Sequence, residues 1–400
     1  MKIDKKLKWN MTYYLLFELF LGIFVGAYGF LLGPYVMHRG YKEDIVGTLS
    51  LIQTISFALF AYVTGILSTK FSDKTLFAAT SVLCFISSVL LATSKNFIYI
   101  ILAVIVYALG LSIVVVIKTP FIVRNTKGFN AVNVISIILT YCVTTNLIGN
   151  YLAGNLTNKF DYEKTWIIFA FFALVSFLPA IFINTDKKEV TFSKANIKIN
   201  FTPRMFFLIM YTSLGSFAFG LIGPFYTTFL ISKLNLNTLN ASFINNFNII
   251  GMILAMLLSP YSSKIFGKTK TLWYAKLLSF PVIFILSFVK FNSIFLVGIL
   301  SILYLLRALF LNVPIPIESD LIMKSVAEGE QAKFNSVVVL ANNLTVALSS
   351  LMAGFIIAEM PNGYEITFIM SSIFFLMQGF LFYKFSSNFI KKKRNDGLSF

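Results

Sequence analysis

A chain of 400 residues that is 58% hydrophobic, 16% aromatic and 12% charged, with a mean hydropathy of +0.82, carries more apolar surface than water tolerates; soluble chains run near half apolar and about a quarter charged. The net charge of +17 is spread in short basic clusters between apolar runs and not over one basic face, which excludes nucleic acid as a partner. One His, His38 in a loop, and two Cys, Cys84 and Cys142 inside apolar runs, exclude a disulfide framework and a haem or zinc site, so no cofactor or metal is expected.

At the N-terminus Lys2, Lys5, Lys6 and Lys8 precede an apolar run, as in a signal peptide. The run 11–33 is too long for a signal core, carries Glu18 and ends without a small-residue cleavage site, so it reads as a retained first helix. A bilayer core of about 30 Å needs about 20 apolar helical residues. Twelve windows meet that need: 11–33, 45–68, 75–94, 97–123, 133–156, 165–184, 205–231, 241–260, 272–290, 293–322, 335–358 and 365–387. None alternates with the period of two that a barrel strand requires, so the expected fold is an all-α membrane protein.

Charge between the windows sets the orientation. With both termini in the cytoplasm, 25 of the 33 Lys and Arg fall on inner segments and membrane edges, seven on outer loops, and Arg307 alone lies well within a helix. The polar, basic stretch 185–204 divides the windows six and six, giving an N-terminal bundle over 1–184, a short cytoplasmic linker and a C-terminal bundle over 205–400. The halves share features in a common order. Gly33-Pro34 matches Gly223-Pro224, Lys70 and Lys74 match Lys264 and Lys268, Ala108-Leu109 matches Ala308-Leu309, and Ala153-Gly154 matches Ala353-Gly354, with offsets growing from 190 to 194 to 200.

Six plus six helices, a central basic connector and the loop after the second helix together resemble the major facilitator superfamily. That family's loop reads G-x-x-x-D-R/K-x-G-R-K/R, of which this chain keeps Gly65, Lys70 and Lys74. Thr69 stands for the acidic residue, and Ser72 and Asp73 stand for the second Gly and the following base. The second copy keeps Lys264, Gly267 and Lys268, again without the Asp. The helix 4 arginine of many proton-coupled drug exporters has no match, Val106 falling in its place, and Gly149 and Gly154 lack the proline of the antiporter helix 5 signature. The resemblance implies two pseudo-symmetric bundles, alternating access, and a central cavity lined by helices 1, 4, 7 and 10.

An ionisable group in a helix core costs at least ~2.5 kcal/mol on insertion scales, so each needs a partner, a wet cavity or a function. Glu18 shares an arc of about 80° with Gly22, Gly26, Gly29 and Gly33, a stripe of small residues that faces protein and not lipid. A carboxylate buried about 10 Å from the helix end either couples transport to protons or serves a nearby base as its structural partner. Arg307 either binds an anion or orients substrate, or is a counterion, Glu18 being one choice. Helix 10 continues through Pro314 and Pro316, which free backbone carbonyls and permit a bend. Lys118 and Glu318 occupy equivalent positions at an offset of 200, so Lys118 with Glu318 or Asp320 is a candidate cytoplasmic gate; otherwise all three sit in headgroup water. Asn245, Asn246 and Asn248, with Asn342 and Asn343, either bind substrate hydroxyls or join helices.

Gly267-Lys268-Thr269 imitates the tail of a phosphate loop, but Ser262 stands where the first Gly belongs and no strand precedes it. The sequon at Asn155 is equally uninformative in a Lys-, Asn-, Ile- and Phe-rich chain of bacterial character. With no ATP site, the driving force is a gradient. The expected activity is proton-coupled efflux of a small hydrophobic or amphipathic compound by a monomer in the plasma membrane. Tyr13, Tyr14, Tyr28, Tyr107, Phe217, Phe219 and Tyr304 would suit such cargo. The alternative is an importer of a sugar or other metabolite, using Gln53, Asn146 and the helix 8 asparagines. A membrane enzyme would need a catalytic constellation that a lone outer His does not supply.

Overall fold

Apolar runs bounded by polar loops become long helices because hydrocarbon offers the backbone no other hydrogen-bond partners. The computed structural model describes residues 5–94, 96–125, 131–184, 202–289, 295–323, 325 and 331–395. The first five helices are α1 Lys5–His38, α2 Glu43–Lys70, α3 Asp73–Thr93, α4 Phe97–Asn125 and α5 Ala131–Lys159. Next come α6 Tyr162–Phe182, α7 Pro203–Lys233, α8 Thr238–Phe266 and α9 Lys268–Ser287. The last three are α10 Leu296–Ile322, α11 Gln331–Glu359 and α12 Gly363–Asn395. No strand occurs among the described residues. Most of the connector 185–204 lies outside them.

Among the described residues, 11 helices are long and apolar enough to cross a membrane. Helix α5 is not among those 11. Leu59, Phe171, Leu257 and Tyr62 are 64 to 75% exposed, an outer surface suited to lipid and not to water. The chain is a multi-pass membrane protein.

Three of the predicted continuous helices are interrupted. α6 breaks at Ser176, three residues before Pro179, and Ser176 joins α3 through Ser81 at 2.7 Å. α10 breaks between Asn312 and Pro314, as the prolines predict. α7 is the most irregular: its α-helix ends at Gly220, and a 3-10 turn at Gly223–Phe225, one α-turn and a π-turn at Phe229–Lys233 follow. The matched pair Gly33-Pro34 does not behave this way, because Pro34 lies inside an unbroken α1. Helix α1 also runs five residues past its predicted end.

The chain groups into two units, one of residues 1–41, 49–196 and 236–243, the other of 42–48, 197–235 and 244–400. In the first, α1 packs on α5 and α6, and α3 packs on α4 and α6. In the second, α7 packs on α11 and α12, and α9 packs on α10 and α12. The glycine stripe of α1 explains one of these contacts. A Cβ on Gly22 would strike the Thr145 side chain, and one on Gly26 the backbone of Asn146; Gly149 of α5 returns the contact against Ile23. Gly29, expected in the same seam, has nothing within 4 Å.

Two helix beginnings belong to the unit formed mainly by the other half. In the first unit, the start of α8 meets Gly154, with Thr238 Oγ1 donating to the Gly154 carbonyl at 3.1 Å and Asn150 Nδ2 to the Ser242 carbonyl at 3.3 Å. In the second, the start of α2 meets Gly354, whose Cα lies where a Gly47 side chain would begin, 3.1 Å away. Gly154 and Gly354, matched in sequence, thus each admit the first turns of another helix.

Gly26→Ala forces a methyl into backbone that cannot yield, and on the order of 1–3 kcal/mol of destabilisation is expected. Gly29→Ala is expected within about 0.5 kcal/mol of the native protein. Thermal melting of the purified variants in one detergent checks both; equal melting of the two would remove close α1–α5 contact as the role of this seam.

Candidate functional site

Each unit buries a charge cluster. In the first, Tyr14 and Glu18 stand one helical turn apart on α1, and the Tyr14 hydroxyl donates to Glu18 Oε2 at 3.1 Å. Lys118 of α4 donates to Glu18 Oε1 at 2.9 Å and to Cys142 Sγ of α5 at 3.4 Å. Glu18 is 4% exposed and Tyr14 fully buried. Aromatic rings enclose the pair: Tyr14 lies 5.2 Å from Phe121 and 5.5 Å from Phe77, and Phe17 lies 5.0 Å from Phe77. In such surroundings two opposite charges bind strongly, and the same surroundings penalise either charge left alone.

In the second unit, the Tyr211 hydroxyl of α7 donates to Glu318 Oε1 at 2.7 Å, and Lys276 Nζ of α9 lies 3.8 Å from the same oxygen. Lys276 is 4% exposed, with its ammonium 5.2 Å from the Phe375 ring centre. Charge counting placed Lys276 with the basic membrane edge and left Arg307 as the lone intramembrane base; burial of Lys276 corrects that count. Lys118 and Glu318, set opposite each other as a gate from sequence, each hold an opposite charge and a tyrosine-bearing neighbourhood within their own unit. Asp320 pairs instead with Lys268 at 2.6 Å, where both side chains are substantially exposed.

Arg307 of α10 forms a third cluster. It is 3% exposed, its guanidinium lies 3.6 Å from the Tyr226 ring centre and 5.6 Å from that of Tyr304, and Nη2 donates to Asn248 Oδ1 of α8. Tyr304 donates to the Tyr226 carbonyl at 3.2 Å. Arg307 Nε and the Tyr226 hydroxyl are buried without hydrogen-bond partners.

The remaining sequence candidates are dispersed. Gln53, Asn146 and Asn343 are half-buried. Asn342 accepts from Ser213 at 3.4 Å, a link between α7 and α11, while Asn245 and Asn246 each have an interaction partner. Tyr28 and Tyr107 stack at 3.5 Å inside the first unit as packed core, whereas the fully buried Tyr14 and Tyr304 belong to the Glu18 and Arg307 clusters; Phe219 is exposed. Around the loop motifs, Gly65 has open space, Lys70, Lys74 and Lys264 are exposed, and Asp73 is buried in the first turn of α3, where the helix dipole favours a carboxylate. Gly267 holds φ +76 at the entry to α9, a conformation open to Gly but strained for other residues.

Sequence reading missed Asn10. Its amide donates to Asn125 Oδ1 at 3.1 Å and to the Asn184 carbonyl at 2.8 Å, and accepts from Asn184 N at 2.9 Å, tying α1 and α4 to the chain just beyond α6. A polar residue immediately before an apolar run was the available signal. Among the described residues, no group of three or more His, Cys, Asp or Glu is placed to hold a metal ion.

The sequence matches the model of the Major Facilitator Superfamily over residues 14–350. A search of curated protein sequences returns no match. Among solved structures, the fold is similar to the nucleoside transporter NupG, with TM-score 0.79 and 14% identity over 95% of this chain and 98% of that one. A bacterial homologue of the iron transporter ferroportin in its inward-facing state gives 0.75 and 17% over 96% and 100%. A bacterial homologue of the human lysosomal transporter Spinster gives 0.77 and 12% over 95% and 97%.

Lys118→Met strands the Glu18 carboxylate, and about 3–5 kcal/mol of destabilisation is expected. Combining it with Glu18→Gln removes the stranded charge and restores most of the loss. Melting of the single and double variants tests the pair; a double variant no more stable than Lys118→Met sinks it.

Proposed function

The chain belongs to the major facilitator superfamily, a family of membrane transporters, and we propose that it exports a small amphipathic compound in exchange for protons by alternating access. The buried Glu18–Lys118 pair carries this reading. Glu18 is a proton acceptor, and a proton on its carboxylate removes the charge that holds Lys118. The Lys118 ammonium then lacks its partner and favours a different arrangement of α1 against α4. Loss of the proton on the other face restores the pair. One exchangeable contact between two helices thus links proton binding to helix position.

Helix α5 is taken as a further crossing, for twelve in two pseudo-symmetric halves; the recurring packing of α1 on α5 and of α7 on α11 supports this. The distribution of Lys and Arg supports cytoplasmic termini with the basic loops inside, and the chain is taken to work as a monomer in the plasma membrane. Import of a polar metabolite is the second reading. Half-buried Gln53, Asn146 and Asn343, and the likeness in fold to a nucleoside transporter, favour it.

Transport into proteoliposomes under imposed pH gradients, over a panel of amphipathic and polar compounds, tests both readings. The expected result is gradient-driven movement of an amphipathic compound against the proton flux, with Glu18→Gln losing at least about tenfold of the gradient dependence while binding persists. Gradient dependence unchanged by Glu18→Gln removes that residue from coupling, and proton-linked uptake of a nucleoside or sugar establishes the second reading.

A further inference from the structure

A buried arginine in a membrane protein needs an anion, and Arg307 has none among the described residues. Among the described residues, no carboxylate lies within 4.0 Å of its guanidinium. The acids of its unit that form described ion pairs serve other bases: Glu318 serves Lys276, Asp320 serves Lys268 and Glu365 serves Lys233. What surrounds Arg307 is neutral: the Asn248 amide oxygen and the rings of Tyr226 and Tyr304. These lower the cost of burying the cation without cancelling its charge.

The geometry of this cage has a direction. Stacking on Tyr226 occupies a face of the guanidinium plane, whereas all five N–H donors point outward within that plane. Asn248 takes one donor on Nη2, and Nε, although buried, has no acceptor. The Tyr226 hydroxyl is likewise buried and unpartnered. Unsatisfied donors at membrane depth are costly, and two of them in one cluster point to a ligand that supplies oxygens. The backbone agrees with this. Tyr226 sits between the 3-10 turn and the π-turn of α7, and irregular backbone inside a membrane is tolerated where it is buried in protein or lines a cavity. The Arg307 carbon chain leaves α10 about 16 Å from the start of that helix, near mid-span.

We propose that Arg307, Asn248, Tyr226 and Tyr304 form the binding site for the anionic head of the cargo, an organic acid with a carboxylate, sulfonate or phosphate group on an apolar body. A planar or tetrahedral oxyanion accepts from the guanidinium edge and from the Tyr226 hydroxyl, and tyrosine rings receive the adjoining apolar part. This assignment rests on the reading of the chain as a transporter of amphipathic compounds and narrows it to anions.

Equilibrium binding in nanodiscs of zwitterionic lipid, at fixed pH and without a gradient, tests the site. The probes are naphthoate, decanoate and phenyl phosphate, each against its uncharged counterpart (naphthamide, decanamide and phenol). At least one anion is expected to bind ten times more tightly than its neutral counterpart. That preference should vanish in Arg307→Gln, survive in part in Arg307→Lys and fall about threefold in Tyr226→Phe, which keeps the ring and loses the hydroxyl. If Arg307→Gln fails to fold, Tyr226→Phe carries the comparison. No anion preference in the native protein, or a preference unaltered in a folded Arg307→Gln or Tyr226→Phe protein, overturns the site. Displacement of the probe when anionic lipid is added to the nanodiscs overturns its assignment to cargo in favour of a lipid headgroup. Binding here is expected to be indifferent to Glu18→Gln, so failure of the anion site leaves proton coupling standing, and failure of coupling leaves the anion site standing.

Discussion

Hydrocarbon gives a charge nothing to bind, and the helices of this chain are placed so that the ionised groups within them find partners on other helices. Glu18 and Lys118 join α1 to α4 at 2.9 Å; Glu318 takes Tyr211 and Lys276 and so joins α10 to α7 and α9. These contacts do what a hydrophobic core cannot do in lipid, where burying another leucine gains little because the solvent is as apolar as the interior. Close backbone approach does the rest. Gly22, Gly26 and Gly149 bring α1 and α5 together, and Gly220 and Gly251 admit Ser349 and the Leu305 carbonyl in the second unit.

A contact made of charge is also one that a proton can cancel. An aliphatic seam holds its partners at every pH, whereas the Glu18–Lys118 pair depends on one ionisation. Coupling is therefore proposed at the point where structural need and chemical lability coincide. The breaks in α7 and α10 lie in the unit that holds the Arg307 cluster. Proton exchange and cargo recognition are thus assigned to different units.

Much of this was legible in the residues. Long apolar runs placed most helix ends to within about four positions, because length and hydropathy decide membrane crossing, with larger misses at both ends of α1 and at the C-terminal ends of α8 and α12. The helix-core charges Glu18 and Arg307 stood out for the same reason, and Lys118 as the repeat counterpart of Glu318. Partner choice was not legible. Lys118 and Glu318 share a position in the repeat, yet each found an opposite charge on a helix of its own unit, and no one-dimensional pattern encodes which faces meet. Lys276 was hidden because a lysine nine residues into α9 reads as part of a basic membrane edge. The two Gly-Pro pairs show a different limit. The motif leaves α1 unbroken and interrupts α7, so a proline permits a break whose occurrence tertiary packing decides. Gly154 and Gly354 show the reverse, two glycines paired by sequence alone that proved to have the same packing role.

Infrared difference spectroscopy of the purified protein in lipid, recorded as pH is lowered, bears most directly on whether Glu18 exchanges a proton. The account predicts a carboxylic acid carbonyl band that appears as the Glu18–Lys118 pair is lost, shifts in deuterium oxide and is missing from Glu18→Gln. The same band should persist in Glu318→Gln. A titration in which Glu18→Gln removes no such band would contradict it, leaving Glu18 as a fixed structural counterion of Lys118.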